Sequence, residues 1–152
     1  MKIIYKDFLE FLKLLKESNV QYLIVGGYAV AYHGYPRMTM DIDIWIKMSG
    51  NNSKNIVKAI RKFGFKSDEL KKEIFETPNS IVRMGVKPQL IEIITTISGV
   101  EFDDCYERRI IDTIEGIEIS IISLSDLRKN KISANRPEDI ADLSYMEKFD
   151  QN

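Results

Sequence analysis

Between residues 41 and 46 the chain reads Asp-Ile-Asp-Ile-Trp-Ile, an alternation whose period of two fits a strand and no helix. A strand here sets Ile42, Ile44 and Ile46 on one face, for burial, and Asp41, Asp43 and Trp45 on the other. The two carboxylates then stand roughly 6.5–7 Å apart along the strand, within reach of one shared divalent cation or of a pair about 4 Å apart. These are hard oxygen ligands, and the single His33 and single Cys105 build no nitrogen or sulfur cluster. Magnesium is therefore expected before zinc, with manganese as its substitute. Taken alone, the same pattern also describes a half-exposed strand whose outer face carries two aspartates.

The residues upstream narrow that choice. Val20 to Val25 is an apolar, β-branched run that ends at Gly26-Gly27, and Tyr28 to His33 reads as a short helix closed by Gly34. Two glycines at a strand-to-helix junction let the backbone come close to a phosphate, whose charge the first helical N–H groups and the helix dipole favour. Neither a GxGxxG nor a GxxxxGK[ST] pattern occurs, so neither a dinucleotide fold nor a P-loop is supported.

Gly26-Gly27-Tyr28-Ala29-Val30, then Gly34, then Arg37-x-Thr39-x-Asp41-Ile42-Asp43 resembles the signature of the DNA polymerase β-like nucleotidyltransferase superfamily. Within that superfamily the chain resembles the small bacterial proteins related to the abortive-infection AbiE-type toxin group. Ile91-Glu92-Ile93, Phe102 through Arg108 and Lys131 through Asp142 resemble later landmarks of the family, in order, so the resemblance spans about residues 20–147. It implies Mg²⁺-dependent transfer of a nucleotide from an NTP to an acceptor hydroxyl, with pyrophosphate leaving. The acceptor would be a tRNA end, a protein side chain or a small molecule, and a toxin or antitoxin would be a partner. The resemblance further implies that Gly26 and Gly27 cradle phosphates, that Asp41 and Asp43 hold the metal, and that Lys131 binds phosphate with Arg136 beside it.

Glu92 lies within Leu90-Ile91-Glu92-Ile93-Ile94, where a charge must face solvent, a cation or a reacting proton. It is the candidate third carboxylate, as metal ligand or as base; the family usually carries an aspartate there, one methylene shorter. Arg37 is the best-placed cation, able to reach a triphosphate or to pair with Asp41 or Asp43, and Arg83 is a weaker candidate. Thr39 is expected to support its loop through its hydroxyl. In the C-terminal block Pro137 suits a helix start with Asn135 or Arg136 at the cap. Arg136, Asp139 and Asp142 then share one face, able to hold Lys131 and Arg136 toward the triphosphate, while Ile140, Leu143 and Met146 point to the core.

At 152 residues with 44% hydrophobic and 30% charged residues, the chain is expected to form one domain over residues 1–152 with a real core. Its fold class is α+β (α/β-like), a mixed central sheet with flanking helices. Further elements are a helix over Tyr5 to Leu15, a polar connector at Ser49 to Lys54, a helix over Ile56 to Phe63, and a short one within Asp68 to Phe75. Strands follow at Ser80 to Met84 and Gln89 to Thr95, then a hairpin across Glu115-Gly116. The net charge of −1 gives no global field for nucleic acid, no apolar run spans a bilayer, and Met1 to Glu10 is too charged for a signal peptide. With a lone cysteine, a cytoplasmic setting is expected. His33, Trp45, Tyr28, Phe102 and Tyr106 read as packing residues, Cys105 as inert, and Lys71-Lys72 and Lys129-Asn130-Lys131 as solvated surface. The competing reading is a catalytically inactive nucleotide-binding or protein-interaction module of the same fold.

Overall fold

The computed structural model describes residues 5–151. Of the charged segment Met1 to Glu10, residues 1–4 lie outside the described residues, whereas Lys6 onward belongs to the first helix. Six strands, β1 (Tyr22–Val25), β2 (Asp41–Ile46), β3 (Ile81–Met84), β4 (Leu90–Ile94), β5 (Ile110–Ile114) and β6 (Ile117–Ile121), form one sheet in the order β3-β4-β2-β1-β6-β5. Flanking it are α1 (Lys6–Glu17), α2 (Gly26–Tyr32), α3 (Gly50–Phe63), α4 (Phe102–Glu107), α5 (Leu124–Ala134) and α6 (Pro137–Asp150). The sheet is mixed: β2 runs parallel to β4 and β1 parallel to β6, while the β1–β2, β3–β4 and β5–β6 pairs are antiparallel. No helix among the described residues is long and apolar enough to cross a membrane.

Ile42, Ile44 and Ile46 are fully buried in one core with Phe8, Phe11, Leu12 and Leu15 of α1 and Ile56 and Ile60 of α3. The alternation of β2 thus does what its period requires, with one exception. Trp45 shares the carboxylate face yet is also buried, because Phe102 of α4 packs edge-on against it at 5.1 Å and its indole N–H donates to the Thr95 carbonyl at 3.3 Å. That face is closed at Trp45 and open at the aspartates. Tyr28 is buried against Phe8, so neither aromatic is free to stack on a base.

Three local readings are corrected. Ser49 to Lys54 is no connector but the cap and first turns of α3: Ser49 Oγ accepts from the Asn52 N–H, and buried Asn52 bonds the Gln21 N–H at 2.7 Å and the Lys47 carbonyl at 2.8 Å. Its polar residues satisfy neighbouring backbone instead of water. The helix expected within Asp68 to Phe75 is a 3₁₀ segment, Lys72–Glu76, that buries only Phe75. In α6, Ile140 is 52% exposed instead of pointing to the core. The buried face of that helix carries Asp139, Asp142 and Met146, because Lys131 of α5 lies against it and draws the carboxylates inward. Arg136 caps α6 reciprocally with Asp139, and Pro137 follows it.

Met146→Ala is accordingly expected to cost about 2–4 kcal/mol and Ile140→Ser less than about 0.5 kcal/mol, measured by urea unfolding. Equal losses would mean that α6 packs by the other face.

Candidate active site

The parallel β2–β4 register sets Asp43 beside Glu92, and the antiparallel β3–β4 register sets Glu92 beside Arg83. Asp41 stands on the same face two residues before Asp43. One carboxylate oxygen each from Asp41, Asp43 and Glu92 lies within 4.8 Å of the others, a spacing that oxygen ligands around one hard cation or a close pair satisfy. Thr39 fixes the first of them, its hydroxyl donating to the Asp41 carbonyl at 3.0 Å and to its carboxylate at 3.2 Å. Arg83 Nε donates to Glu92 at 3.1 Å.

Burial and the neighbouring carboxylates Asp41 and Glu92 push Asp43 up to about 7, against the opposing pull of Arg136 and Lys131. Burial, together with the hydrogen bond and charge of Asp41, also raises Glu92, while Arg83 lowers it. Three like-charged groups held this close resist full ionisation, and a divalent cation is the counter-charge that such a donor set fits.

The glycines sit at the start of α2 itself, directly after Val25. Gly26 has φ +69°, and a Cβ on it would strike the Asp43 carboxylate. On Gly27 a Cβ would strike the Arg37 guanidinium and lie 3.0 Å from the Thr39 hydroxyl. The backbone is therefore bare where Asp43 and Arg37 lie against it, and any side chain at either position would displace them.

Facing the carboxylates is a chain of alternating charges. Asp142 binds Arg37 at 3.0 Å and Lys131 at 2.8 Å; Lys131 lies 3.6 Å from Asp139; and Asp139 takes a two-pronged bond from Arg136 at 2.7 and 3.1 Å. Arg37 therefore pairs with Asp142 and not with Asp41 or Asp43, since α6 brings a carboxylate closer to its Nε. Lys131, read with its neighbours as solvated surface, is only 4% exposed. All the expected residues, Gly26, Gly27, Arg37, Thr39, Asp41, Asp43, Glu92, Lys131, Arg136, Asp139 and Asp142, line one cavity of about 690 Å³.

Sequence reasoning missed the far end of that cavity, where Asn79, Ser80 and Thr96 meet across the start of the β3–β4 pair and Asn130 donates to the Ser98 carbonyl. Only the left-handed backbone of Asn79 (φ 60°), a conformation asparagine favours, left a trace in residue type. Cys105 is fully buried, and burial with Asp126 beside it pushes its thiol up to about 12, so it is no nucleophile at neutral pH. His33 caps the end of α2 and its Nε2 lies 2.8 Å from the Ile122 carbonyl.

A mixed sheet with a carboxylate trio along β2 and β4, a glycine turn and a facing network of interleaved cations and carboxylates defines a nucleotidyltransferase-like protein. Residues 5–150 match the family described as nucleotidyltransferase of unknown function (DUF6036), and the chain belongs to that family. A crystal structure from Thermotoga maritima, of a protein provisionally assigned as a nucleotidyltransferase, superposes with a TM-score of 0.64 at 17% identity, covering 99% of this chain and 97% of that one. An antigenic nucleotidyltransferase-like protein from Paracoccidioides brasiliensis superposes with a TM-score of 0.51 at 19% identity, covering 94% and 77%. At these identities the likeness is one of fold. Among curated proteins the sequence has no match.

In the metal-free protein the folded state holds a proton on Asp43 up to about pH 7, whereas an unfolded aspartate releases it near 3.8. Stability is therefore expected to fall as pH rises between those values, by a few kcal/mol, and to level off above them. Asp43→Asn should flatten that slope in urea titrations at pH 4.5 and 7.5; an unchanged slope would place the proton elsewhere.

Proposed function

We propose that this chain is a Mg²⁺-dependent nucleotidyltransferase, folded as a single domain over residues 1–152, that moves a nucleoside monophosphate from an NTP to an acceptor hydroxyl. The observation that carries the reading is that the carboxylate trio Asp41, Asp43 and Glu92 shares one cavity with Arg37, Lys131 and Arg136. Asp41, Asp43 and Glu92 would hold Mg²⁺, or Mn²⁺ in its place. Bound there, the cation supplies positive charge to the α-phosphate and to the departing pyrophosphate.

The chain's own residues do the rest. Gly26 and Gly27 would cradle phosphate oxygens, and their missing side chains let Asp43 and Arg37 lie directly against the backbone there. Arg37, Lys131 and Arg136 neutralise the remainder of the triphosphate, held in place by Asp142 and Asp139. Glu92 accepts the proton of the acceptor hydroxyl as its oxygen bonds to the α-phosphorus and the bond to pyrophosphate breaks. The acceptor is a tRNA end, a protein side chain or a small molecule. The AbiE-type resemblance extends the reading to a cytoplasmic toxin–antitoxin setting with a cognate partner.

One observation favours a second reading. The three cations are already paired with Asp139 and Asp142, and Glu92 with Arg83, as in a self-neutralised binding module without chemistry. The two readings separate on transfer. With Mg²⁺ and α-labelled NTP, Asp41→Asn and Asp43→Asn are expected to lower transfer at least about 100-fold while the fold survives. Thermal stabilisation by each NTP with and without Mg²⁺ measures binding separately, since ligand that favours the folded state raises the melting temperature. Mg²⁺-independent binding with no pyrophosphate released would establish the inactive module instead.

A further inference from the structure

β3 ends the sheet, and among the described residues it pairs only with β4. The Ser80 carbonyl accepts from the Thr95 N–H at 3.2 Å and the Val86 carbonyl from the Gln89 N–H at 2.9 Å. Even-numbered residues of this stretch thus bond toward β4, and antiparallel alternation turns the N–H and C=O groups of Ile81 and Arg83 outward. The side chains of the same two residues share the carboxylate face, because Arg83 stands beside Glu92 and Glu92 beside Asp43. Both also line the cavity. An unpaired backbone edge and the candidate active face therefore run along the same residues.

The surroundings of that edge select its occupant. Ile81 is 49% exposed, Met38 and Met40 stand exposed on the cavity rim, and Val86 in the β3–β4 turn is 78% exposed. Beside them stand two cations, Arg83 and Lys87, and Arg83 already serves Glu92. An RNA backbone needs a succession of cations, which this rim and a net charge of −1 do not offer. Outward amides ask for a partner with amides of its own, and exposed apolar side chains ask for apolar side chains. An extended polypeptide brings both.

We propose that the acceptor is a protein segment that adds to β3 as a seventh strand and presents a hydroxyl side chain to Glu92; this rests on the nucleotidyltransferase reading. The added residue beside Arg83 lies two strand spacings, about 10 Å, from Glu92 across the sheet. Serine and threonine are too short for that gap, so tyrosine is the expected acceptor. Its phenolic oxygen bonds to the α-phosphorus of the NTP, its proton passes to Glu92, and the bond to pyrophosphate breaks with the electron pair leaving on pyrophosphate.

The test uses the full chain with Mg²⁺ and α-labelled NTP. The probes are a library of β-prone dodecapeptides with central tyrosine, the same library with phenylalanine, and total tRNA. Label is expected on tyrosine peptides alone, with slowed hydrogen exchange at the Ile81 and Arg83 amides when peptide is bound. Ile81→Pro removes an outward donor without touching the β4 ladder, and Ile81→Lys removes the apolar contact. Each should raise the peptide KM at least 10-fold and leave Mg²⁺-dependent thermal stabilisation by NTP unchanged. Label on tRNA, label on no probe, or peptide transfer indifferent to both Ile81 variants, each with NTP binding intact, overturns the strand-addition inference alone. Loss of NTP binding in the native chain overturns the nucleotidyltransferase reading and this inference with it.

Discussion

The parallel pairing of β2 with β4 sets like charges side by side, and the remainder of the site answers that repulsion. Asp43 meets Glu92 in register, with Asp41 on the same face. The other face of both strands carries Ile42, Ile44, Ile91 and Ile93, all buried. A slip by one residue would move Glu92 to the isoleucine side and expose the isoleucines, so apolar burial holds the register that electrostatics opposes. Burying four isoleucine side chains is worth on the order of 1.5–3 kcal/mol each, more than the repulsion of carboxylates that are partly protonated. The pairing is therefore kept at the expense of ionisation: burial first, then the charges of Asp41 and Glu92, hold the proton on Asp43 to about pH 7.

The opposite wall inverts the usual economy of a helix pair. Where α5 meets α6, Lys131, Asp139 and Asp142 are buried, positions that apolar residues commonly fill. A buried charge is tolerated only when paired and hydrogen-bonded, and here each one is: Asp142 spans Arg37 and Lys131, and Asp139 spans Lys131 and Arg136. Removing one member would strand its neighbours, so the network is rigid as a unit. With Glu138 also beside Arg136 at 3.5 Å, three cations meet three carboxylates, yet Arg136 and Lys131 still pull on Asp43 across the cavity.

The strands were legible wherever a single face decides the residue pattern. β2 follows its alternation, and the β5–β6 hairpin follows Glu115-Gly116, both with positive φ as that turn demands. The residues that gather around the candidate cavity stood out in the sequence because glycine turn, carboxylates and C-terminal block each occupy a local pattern. Their pairings did not. Arg37 was expected to pair with Asp41 or Asp43, and its pairing with Asp142 instead depends on where α6 docks. The exposure of Ile140 has the same origin, since helical spacing alone cannot tell that a buried lysine will draw the aspartate face inward. At Ser49 to Lys54, polar composition suggested solvent, but Asn52 was destined for the backbone of Gln21 and Lys47, contacts invisible to local reading.

The two sides of the cavity differ in how much of their bonding capacity is already used. On the helical side the charges are interlocked and the glycines are fixed by what a Cβ would strike, so the shape and charge offered there are set before any ligand arrives. On the β3 side the backbone of Ile81 and Arg83 is open and the apolar rim is uncovered. Preorganisation favours a ligand whose geometry never varies, as the phosphates of a nucleotide do not, because no ordering of the protein then opposes binding. An open edge favours the reactant that varies, since strand addition fixes register through backbone and leaves side-chain pockets to choose among sequences. The candidate cavity thus has one wall whose charges are already interlocked and, at β3, a terminal strand whose outer backbone is still open.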